Sequence, residues 1–247
     1  QSTIIFGLSV MCRTLLRCAR EGCPARERVA LCESGPMPGD DRTEVNVPVF
    51  DVAVVGSANL DLVATVEELP RPGQTLIATG YAEHAGGKGL NQAVACARMG
   101  AKTAFVGCVG NDDAGAGLRA ILEREGIDTS RLLAVDSPTG RAFINVDSHG
   151  ENAIVVVSGA NAEVGVAKSV EIPSCRVVLA QLEIPLSTVE AVFGAARRAG
   201  ATTVLNPAPA REIPAGLLAE CDVVTPNETE SATLGGTRAL LAAGVGT

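Results

Sequence analysis

Short apolar runs of strand length alternate with helical segments along most of this chain, and that rhythm constrains its fold more than anything else. The runs 49–55, 103–109, 177–182, 202–205 and 222–225 carry almost no polar alternation, the pattern of strands buried on both faces. The helical pattern over 90–99 ends at Gly100, a second helix stops at Gly126, and a third over 186–199 closes at Gly200. Glycine suits a left-handed helix end. A βαβα order predicts an α/β fold built on a doubly wound, mostly parallel sheet. Segments 62–66, 76–81 and a hairpin, 142–146 with 152–157 around Asp147-Ser148-His149-Gly150, predict a small separate sheet.

One stretch stands apart from this scaffolding. Gly86-Gly87-Lys88-Gly89-Leu90-Asn91 removes side chains where the backbone has to turn, then runs straight into a helix that offers Val94, Ala95 and Ala97 for burial. Unsatisfied N–H groups and the positive end of the dipole at such a helix start favour an acceptor-rich ligand, with Lys88 and Asn91 as added donors. The spacing excludes two familiar motifs. A phosphate loop needs Gly at 82 and Ser or Thr at 89, where the chain has Ala82 and Gly89, and a dinucleotide fingerprint needs Gly at 92, which is Gln92.

Composition narrows the ligand class. A net charge of −8 and a pI of about 4.9 argue against nucleic acid or an anionic membrane as the main partner. Aromatics are 2%, so stacking on bases or sugar rings does not dominate recognition, and hydrogen bonds have to. No apolar run reaches membrane-span length. Four of the eight cysteines lie in the first 32 residues, no C-x-x-C pair occurs, and His84 and His149 are the only histidines, which excludes a zinc site. Cys96 and Cys108 read as reduced core residues of an intracellular protein. Residues 1–48, with scattered arginines and Gly35-Pro36-Met37-Pro38-Gly39-Asp40-Asp41, read as a disordered or aberrant leader. Glu21, Glu27 and Glu33 count against a mitochondrial presequence.

In doubly wound sheets ligands bind beyond the carboxyl ends of the strands, and Asn59, Asp61, Glu183, Asn206 and Asn227 are all expected there. Carboxylates accept bonds from paired hydroxyls, amides both donate and accept, and Lys88 only donates. That mixture suits a polyhydroxylated small molecule. Helix capping is the bland alternative for Asp61 and Glu183. Glu230, one turn after Asn227, is placed to hold a metal through water near a phosphate chain.

Five segments then carry a resemblance: G-S-A-N-L-D (56–61), G-G-K-G-L-N-Q-A-V-A (86–95), Q-L-E (181–183), N-P-A-P-A-R (206–211) and T-P-N-E-T-E (225–230). Over roughly 49–234 the chain resembles the ribokinase-like carbohydrate kinase family. The resemblance implies a ribokinase-like α/β core with a β-sheet lid within 62–85 and 142–157, whose strands pair two subunits into a homodimer. It implies ATP-dependent phosphorylation of D-ribose to D-ribose 5-phosphate, with fructokinase and nucleoside kinase as alternatives within the class. By resemblance Asn59, Leu60, Asp61, Gly86, Gly87, Lys88, Gly89, Asn91 and Glu183 hold the sugar. Asn227 contacts ATP and Glu230 helps place Mg2+ through water, while a K+ site is expected beyond Thr247. The expected location is cytoplasmic, with the nucleus as a second possibility.

The family also carries a later D-T-x-G-A-G-D motif whose last Asp is the general base, and the 247 residues hold no such segment. Asp112-Asp113-Ala114-Gly115-Ala116-Gly117 imitates it, with Leu118 where the base would stand. Residues 49–247 therefore read as a partial kinase domain, incomplete at its C-terminus and without turnover as given. Two further readings remain: a sugar-binding fragment without catalysis, and an NAD-dependent oxidoreductase resting on Gly115, Gly117, Ala120 and Asp136.

Overall fold

Strands without polar alternation need cover on both faces, and the apolar runs find it in one parallel sheet. The computed structural model describes residues 49–165, 170–242 and 245, and the expected leader lies outside them. The sheet comprises β1 (Phe50–Val55), β4 (Thr103–Gly110), β5 (Asp128–Val135), β8 (Cys175–Ala180), β9 (Thr202–Leu205) and β10 (Val223–Val224). Its order is β10-β9-β8-β1-β4-β5, and every pairing is parallel.

Alternate side chains of one strand serve two cores. Val52, Val54 and Phe105 pack with α1 (Lys88–Arg98) and α2 (Asp113–Arg124), through Leu90, Ala93, Cys96, Leu118 and Leu122. Val55, Val106 and Val178 pack on the opposite face with α3 (Leu186–Arg198) and α4 (Ala215–Ala219), through Val192, Phe193 and Leu217. The buried stripe of α1 is thus Leu90, Ala93 and Cys96, whereas Val94, Ala95 and Ala97 are only half-buried at its margin. Gly100 closes α1 as expected, with φ 87°. Gly100 and Ala101 return N–H bonds to Ala97 and Cys96. After β10 come α5 (Glu228–Thr233) and α6 (Thr237–Ala242). No described helix is long and apolar enough to cross a membrane.

The second sheet is a four-stranded lid: β2 (Asn59–Thr65), β3 (Gly80–Gly86), β6 (Gly140–Val146) and β7 (Asn152–Val157), ordered β3-β2-β6-β7. β2 runs parallel to β6, and the outer pairs are antiparallel. Asp147 shapes the β6–β7 turn by accepting the His149 and Glu151 N–H groups. The lid differs from its expected bounds. It begins at Asn59 rather than Leu62, extends to Gly86 rather than Ala85, and takes in Gly140, while residues 76–79 form no strand. Strand β5 was not expected. Its opening Asp128-Thr129-Ser130-Arg131 is polar because it lies at the sheet edge with only one neighbour.

Candidate active site

The site forms where the chain crosses from core to lid. After Val55 it passes through Gly56-Ser57-Ala58 into β2, so Asn59 and Asp61 are lid residues inside a strand, not residues of the loop after β1. Their two-residue spacing puts both on one face of β2, and Leu60 on the other. The Gly86-Gly87 bend lies against this crossing. A Cβ at Gly86 would collide with the Asp61 carboxylate, and one at Gly87 would crowd the Ala58 backbone. Gly87 also has φ 89°, which disfavours any side chain.

The start of α1 proves to be an occupied donor set rather than an open one. Lys88 N–H donates to Glu183 Oε2 at 3.0 Å, Gly89 N–H to Ser57 Oγ at 3.3 Å, and Leu90 N–H to the Ser57 carbonyl at 2.9 Å. Ser57 Oγ in turn donates to Glu183 Oε2 at 2.5 Å. Glu183, three residues past β8, therefore caps α1 from the loop after another strand. The capping reading of Glu183 is thus met by Oε2, and Oε1 has no protein partner among the described residues.

Asp61 is the complement. Its carboxylate makes no hydrogen bond or ion pair among the described residues. Burial first, then the charge of Glu183, push its carboxyl up to about 6 against a smaller opposing pull from His84. Two carboxylates facing one another with three oxygens uncommitted form an acceptor set for ligand hydroxyls. The Lys88 ammonium, also without a partner among the described residues, is a further donor on the first turn of α1. Asn91 is exposed on the first turn of α1.

Not every expected residue joins this group. Leu60 turns to the other face of the lid and lines a separate cavity of about 530 Å³ with Glu83, Asp112, Ile121 and Arg141. That cavity is the groove between lid and α2. Neither Asp61 nor Glu183 lines it. Gly89 has its place because a Cβ there would clash with the Gly56-Ser57 backbone. Asn206 is the half-buried end of an amide row in which Gln181 donates to Gln92, Gln92 to Asn206, and Asn206 to the Thr225 carbonyl. Asn227 and Glu230 lie off β10, two strands from β8, which puts them about 10 Å along the edge.

There they form a capping box at α5. Asn227 accepts the Glu230 N–H, and both Glu230 carboxylate oxygens accept from Asn227. Asn227 is exposed, and one of its amide hydrogens has no acceptor among the described residues. Glu230 is 6% exposed, and each of its oxygens accepts one bond from Asn227 while keeping a second lone pair, so Glu230 could still hold a Mg2+ through water there. Among the described residues no group of three or more His, Cys, Asp and Glu could hold a metal ion.

The residues that imitate a catalytic motif are structural. Asp112 caps α2, accepting the Gly115 N–H and both the N–H and Oγ1 of Thr139. Burial works against its charge, but the bonds from Thr139 and Gly115 and the charge of Arg141 hold its carboxyl below the usual range. Gly115 brings α2 onto the Gly110 carbonyl, a packing contact that answers the dinucleotide reading of that segment. Burial drives the thiols of Cys108 and Cys175 up to about 11 and that of Cys221 to about 12, so none supplies a thiolate nucleophile near neutral pH.

Residues 49–240 match the pfkB family of carbohydrate kinases. The chain belongs to that family. Among curated pfkB-type relatives, it is 45% identical over 190 residues to the ribokinase of Haemophilus influenzae, covering 75% of this chain and 62% of that one. It is 41% identical over 192 residues to the ribokinase of Staphylococcus aureus, covering 75% and 63%. The chain thus spans a little over three-fifths of these relatives' length. Among solved structures it is similar to a Thermotoga maritima ribokinase, with TM-score 0.69, 36% identity and coverage of 79% and 69%. It is also similar to an Arabidopsis thaliana ribokinase complexed with ribose and ATP, with TM-score 0.67, 33% identity and coverage of 78% and 67%. The pfkB fold accounts for both sheets, the parallel core and the lid.

Proposed function

We propose that this chain carries the sugar-binding core and lid of an ATP-dependent kinase that converts D-ribose to D-ribose 5-phosphate. The observation that carries the reading is the uncommitted carboxylate pair, Asp61 on the lid and Glu183 on the core, held together across the Gly86-Gly87-Lys88 bend. Neighbouring sugar hydroxyls donate to these oxygens, and Lys88 and Asn91 donate back. ATP supplies the phosphoryl group, and Asn227 offers it an exposed amide hydrogen at the β10 edge. The family's base-bearing D-T-x-G-A-G-D segment is not among the 247 residues. The 247-residue polypeptide therefore binds ribose without ribose-dependent ADP release, and a polypeptide continued through such a segment releases ADP. General-base catalysis alone is worth roughly 10²–10⁴ in rate. Turnover by the 247-residue polypeptide would remove the base from that segment. Silence of the continued one with ribose, ATP and Mg2+ would overturn the kinase reading.

The same proposal includes a homodimer through the lid. β7 exposes all six of its residues, among them Ile154 at 52%, Val155 at 66% and Val157 at 51%, and Phe143 on β6 adds 47%. An exposed apolar edge strand of this kind supports pairing with a second copy. A cytoplasmic location goes with ATP as the phosphate donor.

A further inference from the structure

Asn161 is a residue that neither composition nor motif singles out. It lies on the 3-10 turn Gly159–Glu163, just after the chain leaves the lid, and is 1% exposed. Its side chain reaches back more than a hundred residues to the core-to-lid crossing. Asn161 Oδ1 accepts the Ala58 N–H at 2.9 Å, and Asn161 Nδ2 donates to Asn59 Oδ1 at 2.7 Å and to the Ala58 carbonyl at 3.3 Å.

These bonds settle the orientation of two amides by elimination. A backbone N–H can only donate, so the Asn161 atom facing Ala58 N has to be oxygen. Its other atom is then Nδ2, which can only donate, so the Asn59 atom facing it has to be oxygen as well. Asn59 Nδ2 is left over, with no acceptor among the described residues, on the strand face that carries Asp61. The space is matched to this pair, since a Cβ at Gly140 would run into both Asn161 Nδ2 and Asn59 Oδ1. We propose that Asn161 is a positioning residue that locks Asn59 with its NH2 group toward the sugar, so that this corner of the site selects a ligand oxygen acting as acceptor. The proposal deepens the sugar-binding reading and rests on it. Asp61 and Glu183 demand donors from the ligand, whereas Asn59, read from sequence as able to do either, demands an acceptor.

The test has two independent readouts. Asn59 is 2% exposed, so the comparison is internal: in 15N–1H spectra of the 247-residue chain its unbonded side-chain NH2 exchanges faster than the bonded NH2 of Asn161 and shifts when D-ribose is added. Asn161→Asp keeps an acceptor for Ala58 N–H but, when ionised, cannot donate, so the Asn59 amide turns over. Its NH2 signal then becomes protected, and ribose affinity falls about tenfold or more, the scale of losing one donor in a closed site. Asn59→Asp, which keeps the acceptor toward Asn161 and removes the donor, loses ribose by a similar factor. A wild-type Asn59 NH2 that is already protected and unmoved by ribose overturns the proposal, as does ribose affinity within twofold of wild type in either variant. If the wild type binds no ribose at all, the sugar reading falls, and the protection of the Asn59 NH2 still decides the orientation.

Discussion

Strands β4 and β7 are built from much the same residues and end in opposite places. β4, Thr-Ala-Phe-Val-Gly-Cys-Val-Gly, is buried at all eight positions, and β7, Asn-Ala-Ile-Val-Val-Val, is exposed at all six. The difference lies in neighbours, not in composition. β4 is flanked by β1 and β5 and roofed by helices, whereas β7 is the outer strand of the lid and is itself left uncovered among the described residues. The core sheet holds the fold together, and the lid sheet keeps apolar surface and uncommitted polar groups for other molecules.

The largest effect that would break this contrast is on stability. Phe105→Ala, at a fully buried β4 position, is expected to cost about 3–5 kcal/mol in denaturant unfolding. Val155→Thr on β7 is expected to stay within about 0.5 kcal/mol. Comparable losses at both sites would mean that the lid is as integral to the fold as the core. Next in size, Asp61→Ala is expected to weaken ribose binding by roughly 2–4 kcal/mol in calorimetry, since ligand hydroxyls then lose both acceptor oxygens in a closed site. Unchanged affinity would remove Asp61 from the site.

A smaller effect sharpens the lid side of the comparison. Val155→Lys places a charge on the exposed edge and is expected to weaken self-association about tenfold or more in sedimentation, with the unfolding midpoint nearly unchanged. A wild-type monomer at micromolar concentration with ribose present would contradict pairing through the lid. The smallest effect is a pH dependence of stability. The Asp61 carboxyl is raised in the fold, to about 6 from 3.8, so between those values the folded chain holds the proton longer than the unfolded one. Stability from this residue is therefore lost as pH rises across that window. Asp61→Asn should flatten this component of a melting-versus-pH profile, and an identical slope in the variant would contradict the raised carboxyl.

Much of the core was legible because its signals are local. The runs 52–55 in β1, 104–109 in β4 and 177–180 in β8 lack polar alternation, and Gly100 closes its helix in the left-handed conformation that its place in the sequence suggested. What was not legible depends on partners distant in sequence. β5 is an edge strand, so half its residues are free to be polar. Asn59 reads as loop because β1 ends just before it, yet it pairs with Gly86 and Gly140 in the lid. The bend at 86–91 was found correctly, but the donors attributed to it are taken by Ser57 and Glu183. Asn161 carries no signal at all, since its meaning lies in bonds to residues 58 and 59.

The central claim is that the sugar sits on the Asp61–Glu183 pair where lid meets core, and proton linkage tests it most directly. D-ribose is titrated into the 247-residue chain near pH 6, in buffers of different ionisation enthalpy. With the Asp61 carboxyl at about 6 and only the ionised form accepting bonds from two hydroxyls, binding should release about half a proton per sugar. That release should vanish in Asp61→Asn. Ribose binding with no buffer dependence, or with the same dependence in Asp61→Asn, would place the sugar elsewhere.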